Sequence, residues 1–192
     1  MRLQIFVVST REARQGPAVA KWFLPLAERH GAFEVELVDL AEVNLPLLDE
    51  PHHPRFANYV HDHTKRWSAI VKRADAYVFV TPEYNYGSPP SLVNALDYLL
   101  HEWAYKPAGF VSYGGVSGGT RSVQMTKQIL STLKVVPMVE AVSLPFFTQH
   151  IDRHTHDFKP PEGQEKAATV MLDELAKWAR ALETMRVPPA TS

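Results

Sequence analysis

Three short runs of β-branched and aromatic residues, 2–9, 76–81 and 108–112, alternate with stretches of helical periodicity, and few architectures accommodate that alternation. Apart from Arg2 and Gln4, these runs are apolar on both sides of the pleat, as strands are in the middle of a parallel sheet covered on both faces. Residues 33–40 alternate apolar and acidic side chains in the manner of a strand nearer an edge, and 135–144 supply a fifth strand. Helical patterns run from Pro17 through Leu24 and over 59–72, 90–103, 120–133 and 163–184, with Pro17 suited to a first helical turn. Right-handed crossovers then predict an α/β three-layer sandwich with a five-stranded parallel sheet of order 2-1-3-4-5. Its length of 192 residues favours a single domain over 1–186, followed by a flexible tail at 187–192. Segments 40–58 and 146–161 read as loops.

Bulk composition excludes several classes of function. With 20 basic against 21 acidic residues, the chain has neither a general nucleic-acid surface nor the acidity of a carrier that docks by charge. It contains no cysteine, which rules out disulfides, thiolate catalysis, iron–sulfur clusters and cysteine-based zinc sites, so redox chemistry requires a bound cofactor. No stretch approaches the roughly 20 apolar residues of a spanning helix, and the sequence opens on a strand with no signal core. The expectation is a soluble cytoplasmic protein without a membrane partner.

In such a sheet, ligands bind beyond the carboxyl ends of the strands, where three segments fall. The first, Ser9-Thr10-Arg11-Glu12-Ala13-Arg14-Gln15-Gly16, joins a strand to a helix, where backbone N–H groups and the positive end of the helix dipole favour an anion. It lacks the glycine fingerprint of a dinucleotide site and the lysine of a triphosphate loop. Hydroxyls and arginines suit one terminal phosphomonoester, hence a mononucleotide. The second, Thr81-Pro82-Glu83-Tyr84-Asn85-Tyr86-Gly87, makes a rigid bend that presents aromatic faces and polar groups together, as a flat heteroaromatic ring requires. The third, Tyr113-Gly114-Gly115-Val116-Ser117-Gly118-Gly119, holds four glycines among seven residues, which lets main-chain groups approach a ring edge.

Taken in order, Ser9-Thr10-Arg11, Pro82-Glu83-Tyr84-Asn85 with Asn94-Ala95-Leu96-Asp97, and Tyr113-Gly114-Gly115 strongly resemble the NAD(P)H-dependent FMN reductase family, the flavodoxin-like group of quinone, chromate and azo-dye reductases. The likeness covers roughly the first two thirds of the chain. Val8 stands where the family usually has glycine, and the Arg14-Gln15-Gly16 run replaces its usual serine or asparagine. The resemblance implies noncovalent FMN, with NAD(P)H as co-substrate and a homodimer or homotetramer with flavins near the interface. By this likeness Ser9, Arg11, Gln15 and Gly16 hold the phosphate, with Arg14 as a further candidate. Pro82, Glu83, Tyr84 and Asn85 line the isoalloxazine, and Tyr113, Gly114 and Gly115 close its other edge. The implied mechanism is ping-pong transfer of hydride through FMN to a small-molecule acceptor such as a quinone, azo compound, flavin or metal oxyanion, with no side-chain acid or base nominated.

Other residues carry plainer expectations. His150, His154 and His156 lie in an inter-element loop beside Asp152 and Asp157 and read as exposed or interface histidines, with no metal site expected. Phe146-Phe147 is read as an oligomer contact, and Trp67, Trp103 and Trp178 as packing residues. Asp39, spaced from the first loop as a ribose-binding acid would be, is discounted for want of the glycine fingerprint. A tyrosine phosphatase of this architecture needs a cysteine in the first loop, and a receiver domain needs an aspartate where Thr81-Pro82 stands. A flavodoxin-type carrier or flavin-storing protein is the serious non-enzymatic rival, and a redox-sensing binding protein is a third reading.

Overall fold

Strand β1 (Arg2–Val7) lies between β2 (Glu34–Asp39) and β3 (Ala76–Pro82), and β4 (Pro107–Tyr113) pairs with the far side of β3, all in parallel. The computed structural model describes residues 1–186, so the tail expected at 187–192 lies outside the described residues. Order β2-β1-β3-β4 agrees with expectation, but the fifth position is divided. Two short strands, β5 (Val136–Pro137) and β6 (Val142–Leu144), each pair in parallel with β4, which makes six strands. Val136 and Met138 donate to the Lys106 and Ala108 carbonyls at the start of β4, at 3.0 and 2.8 Å, on either side of Pro137, and the chain then swings outward through Val139, 86% exposed, before rejoining the sheet.

Side chains alternate across the sheet with a period of two. Leu3, Ile5, Val7, Val78, Val80 and Val111 face α1 (Gly16–His30) and α6 (Gln164–Arg186). Phe6, Tyr77, Phe79 and Phe110 face the opposite layer, where α3 (Asp62–Lys72), α4 (Pro90–Asp97) and α5 (Thr120–Thr132) pack. Phe6 centres that layer, with ring centroids 5.4 Å from Phe79 and 5.7 Å from Trp67. The Trp67 indole N–H is satisfied by the Ala95 carbonyl at 2.9 Å. Trp67 and Trp103 are buried as expected, whereas Trp178 is 42% exposed on the outer side of α6 and is not a core residue.

Helix α1 runs on past Leu24 to His30, and further departures of the helices from the sequence reading trace to particular contacts. Helix α3 starts at Asp62 rather than residue 59 because the Glu50 carboxylate accepts the N–H groups of Val60 and His61, at 2.9 and 3.0 Å, and holds them extended. A short helix, α2 (Leu40–Val43), occupies the start of the expected loop because Asp39 caps it by accepting the Ala41 N–H at 2.9 Å. Helix α4 stops at Asp97 rather than 103: Tyr98, Leu99 and Trp103 are all buried, and the chain turns back toward β4 with Tyr105 at φ 59°. Loop 146–161 contains a 3-10 turn, Phe147–His150, and Phe158 is buried with its ring edge on Trp22. Among the described residues no helix is long and apolar enough to cross a membrane.

Lys106, just before β4, is 5% exposed, and its Nζ donates to the carbonyls of Val71 and Lys72 at the end of α3, at 3.0 and 3.1 Å. Burial, with Arg186 nearby, pulls its pKa down to about 7 even though Asp75 and Glu102 oppose the shift. Between that value and the ordinary one of about 10.4, the folded chain binds fewer protons than the unfolded chain, so stability rises with pH in this window. Urea unfolding between pH 7 and 9.5 is expected to show a gain of about 1–3 kcal/mol that Lys106→Met abolishes. A flat profile in the unmodified protein would refute this assignment.

Candidate functional site

Beyond the carboxyl ends of β1, β3 and β4, the three rim segments converge on one cavity of about 300 Å³. Of the twelve residues expected there, ten line it: Ser9, Arg11, Arg14, Gln15, Pro82, Glu83, Tyr84, Tyr113, Gly114 and Gly115. Gly16 and Asn85 do not. Gly16 is buried at the start of α1, where a Cβ would come within 3.0 Å of Val7 Cγ1 and 3.1 Å of the Tyr113 hydroxyl, so its smallness lets Tyr113 pack against the loop. Asn85 is exposed at the tip of its turn.

That turn is a two-residue hairpin, closed by reciprocal N–H···O bonds of 3.1 and 2.9 Å between Tyr84 and Gly87, with Asn85 at φ 49° and Tyr86 at φ 71°. The Tyr84 hydroxyl meets the Ser9 hydroxyl at 2.5 Å, and the Arg11 guanidinium lies 5.8 Å from the Tyr84 ring centroid. Glu83 fastens the hairpin to the glycine segment. Its carboxylate accepts the Ser117 hydroxyl at 2.7 Å, the Arg121 N–H at 3.2 Å and Arg121 Nη1 at 2.9 Å. Burial pushes the Glu83 pKa upward, but these donors outweigh it and hold the carboxyl below its ordinary value.

At the other end of the cavity, helix α1 opens with no acidic residue in its first turn and no side-chain cap. The backbone N–H groups of Gln15 and Gly16 find no acceptor among the described residues. The two loop arginines differ in their commitments. Arg14 pairs with Asp39 at 2.7 Å and is thereby drawn partly away from a ligand, although its Nε is buried without a partner. Arg11 is exposed and pairs with no carboxylate among the described residues. Asp39, fixed by Arg14 and by its cap on α2, has a structural role.

The Tyr113 hydroxyl is buried and has no partner. Burial, reinforced by nearby Tyr84, pushes its pKa well above the ordinary tyrosine value, so it remains a proton donor. An orphaned hydroxyl, an orphaned guanidinium nitrogen, two open helix N–H groups and an unpaired arginine around one cavity suit a phosphorylated molecule with a flat ring, and the residues therefore fit FMN. The glycines divide by role. Gly119, at φ 81°, would bring a Cβ within 2.8 Å of the Tyr113 carbonyl and is required by internal packing, whereas Gly115 faces open space.

Ala13, Phe147 and Thr148 also line the cavity, and the sequence reading missed them. Phe147, expected at an oligomer contact, stands edge-on to Tyr113 within this chain, with centroids 4.8 Å apart. Hydrogen bonds from the Phe146 and Phe147 N–H groups to the Gly115 and Gly114 carbonyls, at 2.9 and 3.3 Å, carry it there. Its position just after a strand, at the ligand-bearing rim, was the available signal. In the histidine loop, Asp152 accepts the N–H groups of His154 and Thr155, and among the described residues no group of three or more His, Cys, Asp or Glu is placed to hold a metal.

Residues 1–149 match the family model described as NADPH-dependent FMN reductase. An NAD(P)H-dependent FMN reductase of Schizosaccharomyces pombe is 40% identical over 148 residues, covering 75% of this chain and 74% of that protein. One from Saccharomyces cerevisiae is 35% identical over 146 residues, covering 70% and 76%. The solved structure of FerB, a flavoenzyme NAD(P)H:(acceptor) oxidoreductase from Paracoccus denitrificans, superposes with a TM-score of 0.72 at 22% identity, over 94% of this chain and 97% of that one, which shows a shared fold. The chain belongs to the NADPH-dependent FMN reductase family and is an oxidoreductase with FMN and NAD(P)H as its cofactors.

Proposed function

We propose that the cavity binds FMN with its phosphate against residues 9–16 and its ring between the Tyr84 turn and Gly114-Gly115, and that the enzyme reduces a quinone, azo compound, free flavin or metal oxyanion at the expense of NAD(P)H. The observation that carries this reading is the gathering of unpaired donors, namely Arg11, the open end of α1 and the Tyr113 hydroxyl, around a single cavity. When bound, FMN supplies two-electron chemistry in ping-pong order, with hydride received from NAD(P)H and electrons then given to an acceptor in the same place. Arg11 and the N–H groups of Gln15 and Gly16 neutralise and orient the phosphate. Ser9, already held by Tyr84, offers its hydroxyl at the same end. Tyr113 offers its ring to the wall, held edge-on by Phe147, while its hydroxyl is shielded beside Gly16. The open space beside Gly115 places little side-chain demand on the acceptor, which suits a broad range of them. A homodimer or homotetramer belongs to the same reading, supported by exposed Val116 and Phe146 beside the cavity, and the lack of cysteine is in keeping with the cytoplasm.

Two measurements test the proposal. Arg11→Ala should weaken FMN about 10- to 100-fold, consistent with roughly 1.5–3 kcal/mol for a charge-assisted contact, while riboflavin, which lacks the phosphate, changes less than about threefold. Equal losses for the two ligands would remove Arg11 from the phosphate site. Anaerobic NADPH or NADH should bleach the flavin absorbance of the holoprotein, and a quinone should restore it. If neither nucleotide bleaches the flavin, a carrier becomes the better description.

A further inference from the structure

A second cavity, of about 480 Å³, lies at the opposite end of the sheet, where Ala74 and Asp75 lead into β3 and Lys106 leads into β4. Its wall holds a buried amine. Lys106 is 5% exposed, and its Nζ donates to two main-chain carbonyls, those of Val71 and Lys72, at the end of α3. No carboxylate lies within ion-pair distance of it among the described residues. The acids in its surroundings are committed elsewhere: Asp75 accepts Arg186 Nη1 at 3.0 Å and the Arg2 N–H at 2.7 Å, and Glu102 accepts the Tyr59 and Ser68 hydroxyls at 3.1 and 2.6 Å. The buried Tyr77 ring has its centroid 5.4 Å from Nζ. An ammonium would bring three N–H donors and a full charge to this place. A neutral amine brings two donors, which the two carbonyls match, and keeps its lone pair free. Burial acts in the same direction, and the pKa of about 7 leaves the amine largely neutral in mildly alkaline solution.

We propose that Lys106 is a modification site for carbon dioxide, a nucleophilic amine that the second cavity opens to this small, uncharged electrophile and that carries it as a carbamate. The Nζ lone pair forms an N–C bond to carbon, one C=O π pair moves onto oxygen, and one N–H proton leaves to solvent, so nothing is oxidised or reduced. The remaining N–H keeps one of the two carbonyls as its acceptor. The product places an anion in a wall that also carries Lys72, Arg73 and Arg186 beside Glu183 and His101. Arg73 is matched by Glu36 and Arg186 by Asp75, whereas Lys72 is exposed and pairs with no carboxylate among the described residues, which leaves it for the new charge. Enclosure selects for size, since an amine so nearly covered has little room for a bulkier carbonyl compound. Ordinary exposed lysines, with pKa values of about 10.4, are almost wholly protonated near neutral pH and compete poorly.

The test equilibrates the full chain with carbon-13 bicarbonate at about pH 7.5, traps carbamates by alkylation with triethyloxonium and maps them by peptide mass spectrometry, with the carbamate carbon resonance as a second readout. Adduct at Lys106 is expected to exceed that at exposed Lys166 by more than about tenfold, and the excess should shrink toward about pH 10 as ordinary lysines lose their protons. Lys106→Arg keeps the positive charge and the donors but cannot form the adduct, so it should remove one resonance and leave the signal of the Met1 α-amine in place. Occupancy at Lys106 no greater than at Lys166 overturns the proposal. So does adduct confined to the Met1 amine, or a spectrum that Lys106→Arg leaves unchanged. Should that variant fail to fold, the peptide map of the unmodified chain decides alone.

Discussion

Because β1, β3 and β4 are adjacent and run the same way, the loop leaving each strand is delivered to the same rim, and no further device is needed to bring residues 9, 83 and 114 together. The sheet makes this placement stiff. Strands β3 and β4 are buried at every residue, and Phe6, Phe79, Phe110 and Trp67 fill the layer beneath them, so a loop cannot shift without disturbing that packing. The cavity is therefore a consequence of strand direction first and of loop chemistry second.

Loop chemistry then distributes charge unevenly. Two arginines enter the first segment, but Asp39 takes Arg14 into the structure, while Arg11 pairs with no carboxylate among the described residues. Glu83 does the same at the opposite wall by taking Arg121, so a carboxylate that sequence position alone would aim at a ring becomes the fastening between two rim segments. What remains unsatisfied is the Tyr113 hydroxyl, Arg14 Nε, Arg11 and the open end of α1, all toward the side of the cavity formed by residues 9–16. Polarity thus increases from the hairpin toward α1, which matches a molecule with a flat ring at one end and a doubly charged group at the other.

The architecture was largely legible in the sequence because residues 3–8, 76–81 and 108–112, apart from Gln4, Thr81 and Ser112, are the apolar runs that strands buried on both faces show. Ten of the twelve expected site residues share the cavity for the same reason: strand ends in a parallel sheet predict loop convergence. The misses arise from contacts that no local pattern encodes. The late start of α3 depends on the remote carboxylate of Glu50, and the commitment of Arg14 depends on Asp39 at the end of β2. Trp178 shows that helical periodicity sets a face without saying what covers it, and the Phe146 and Phe147 N–H bonds to the Gly115 and Gly114 carbonyls, which carry Phe147 to the cavity wall, are written in no local pattern.

Division of the fifth strand has its own consequence for the rim. Strand β6 takes its register directly from β4, with Ser143 opposite Ser112 and Leu144 opposite Tyr113, and the Leu144 carbonyl accepts the Gly114 N–H at 3.3 Å. Phe147 is thus placed by β4 and not by β5. The outward excursion around Val139 is insulated from the chemistry, and extra residues inserted there would hang from two independently anchored ends, giving this lineage a position where the chain can lengthen into a new lobe while the cavity wall keeps its shape.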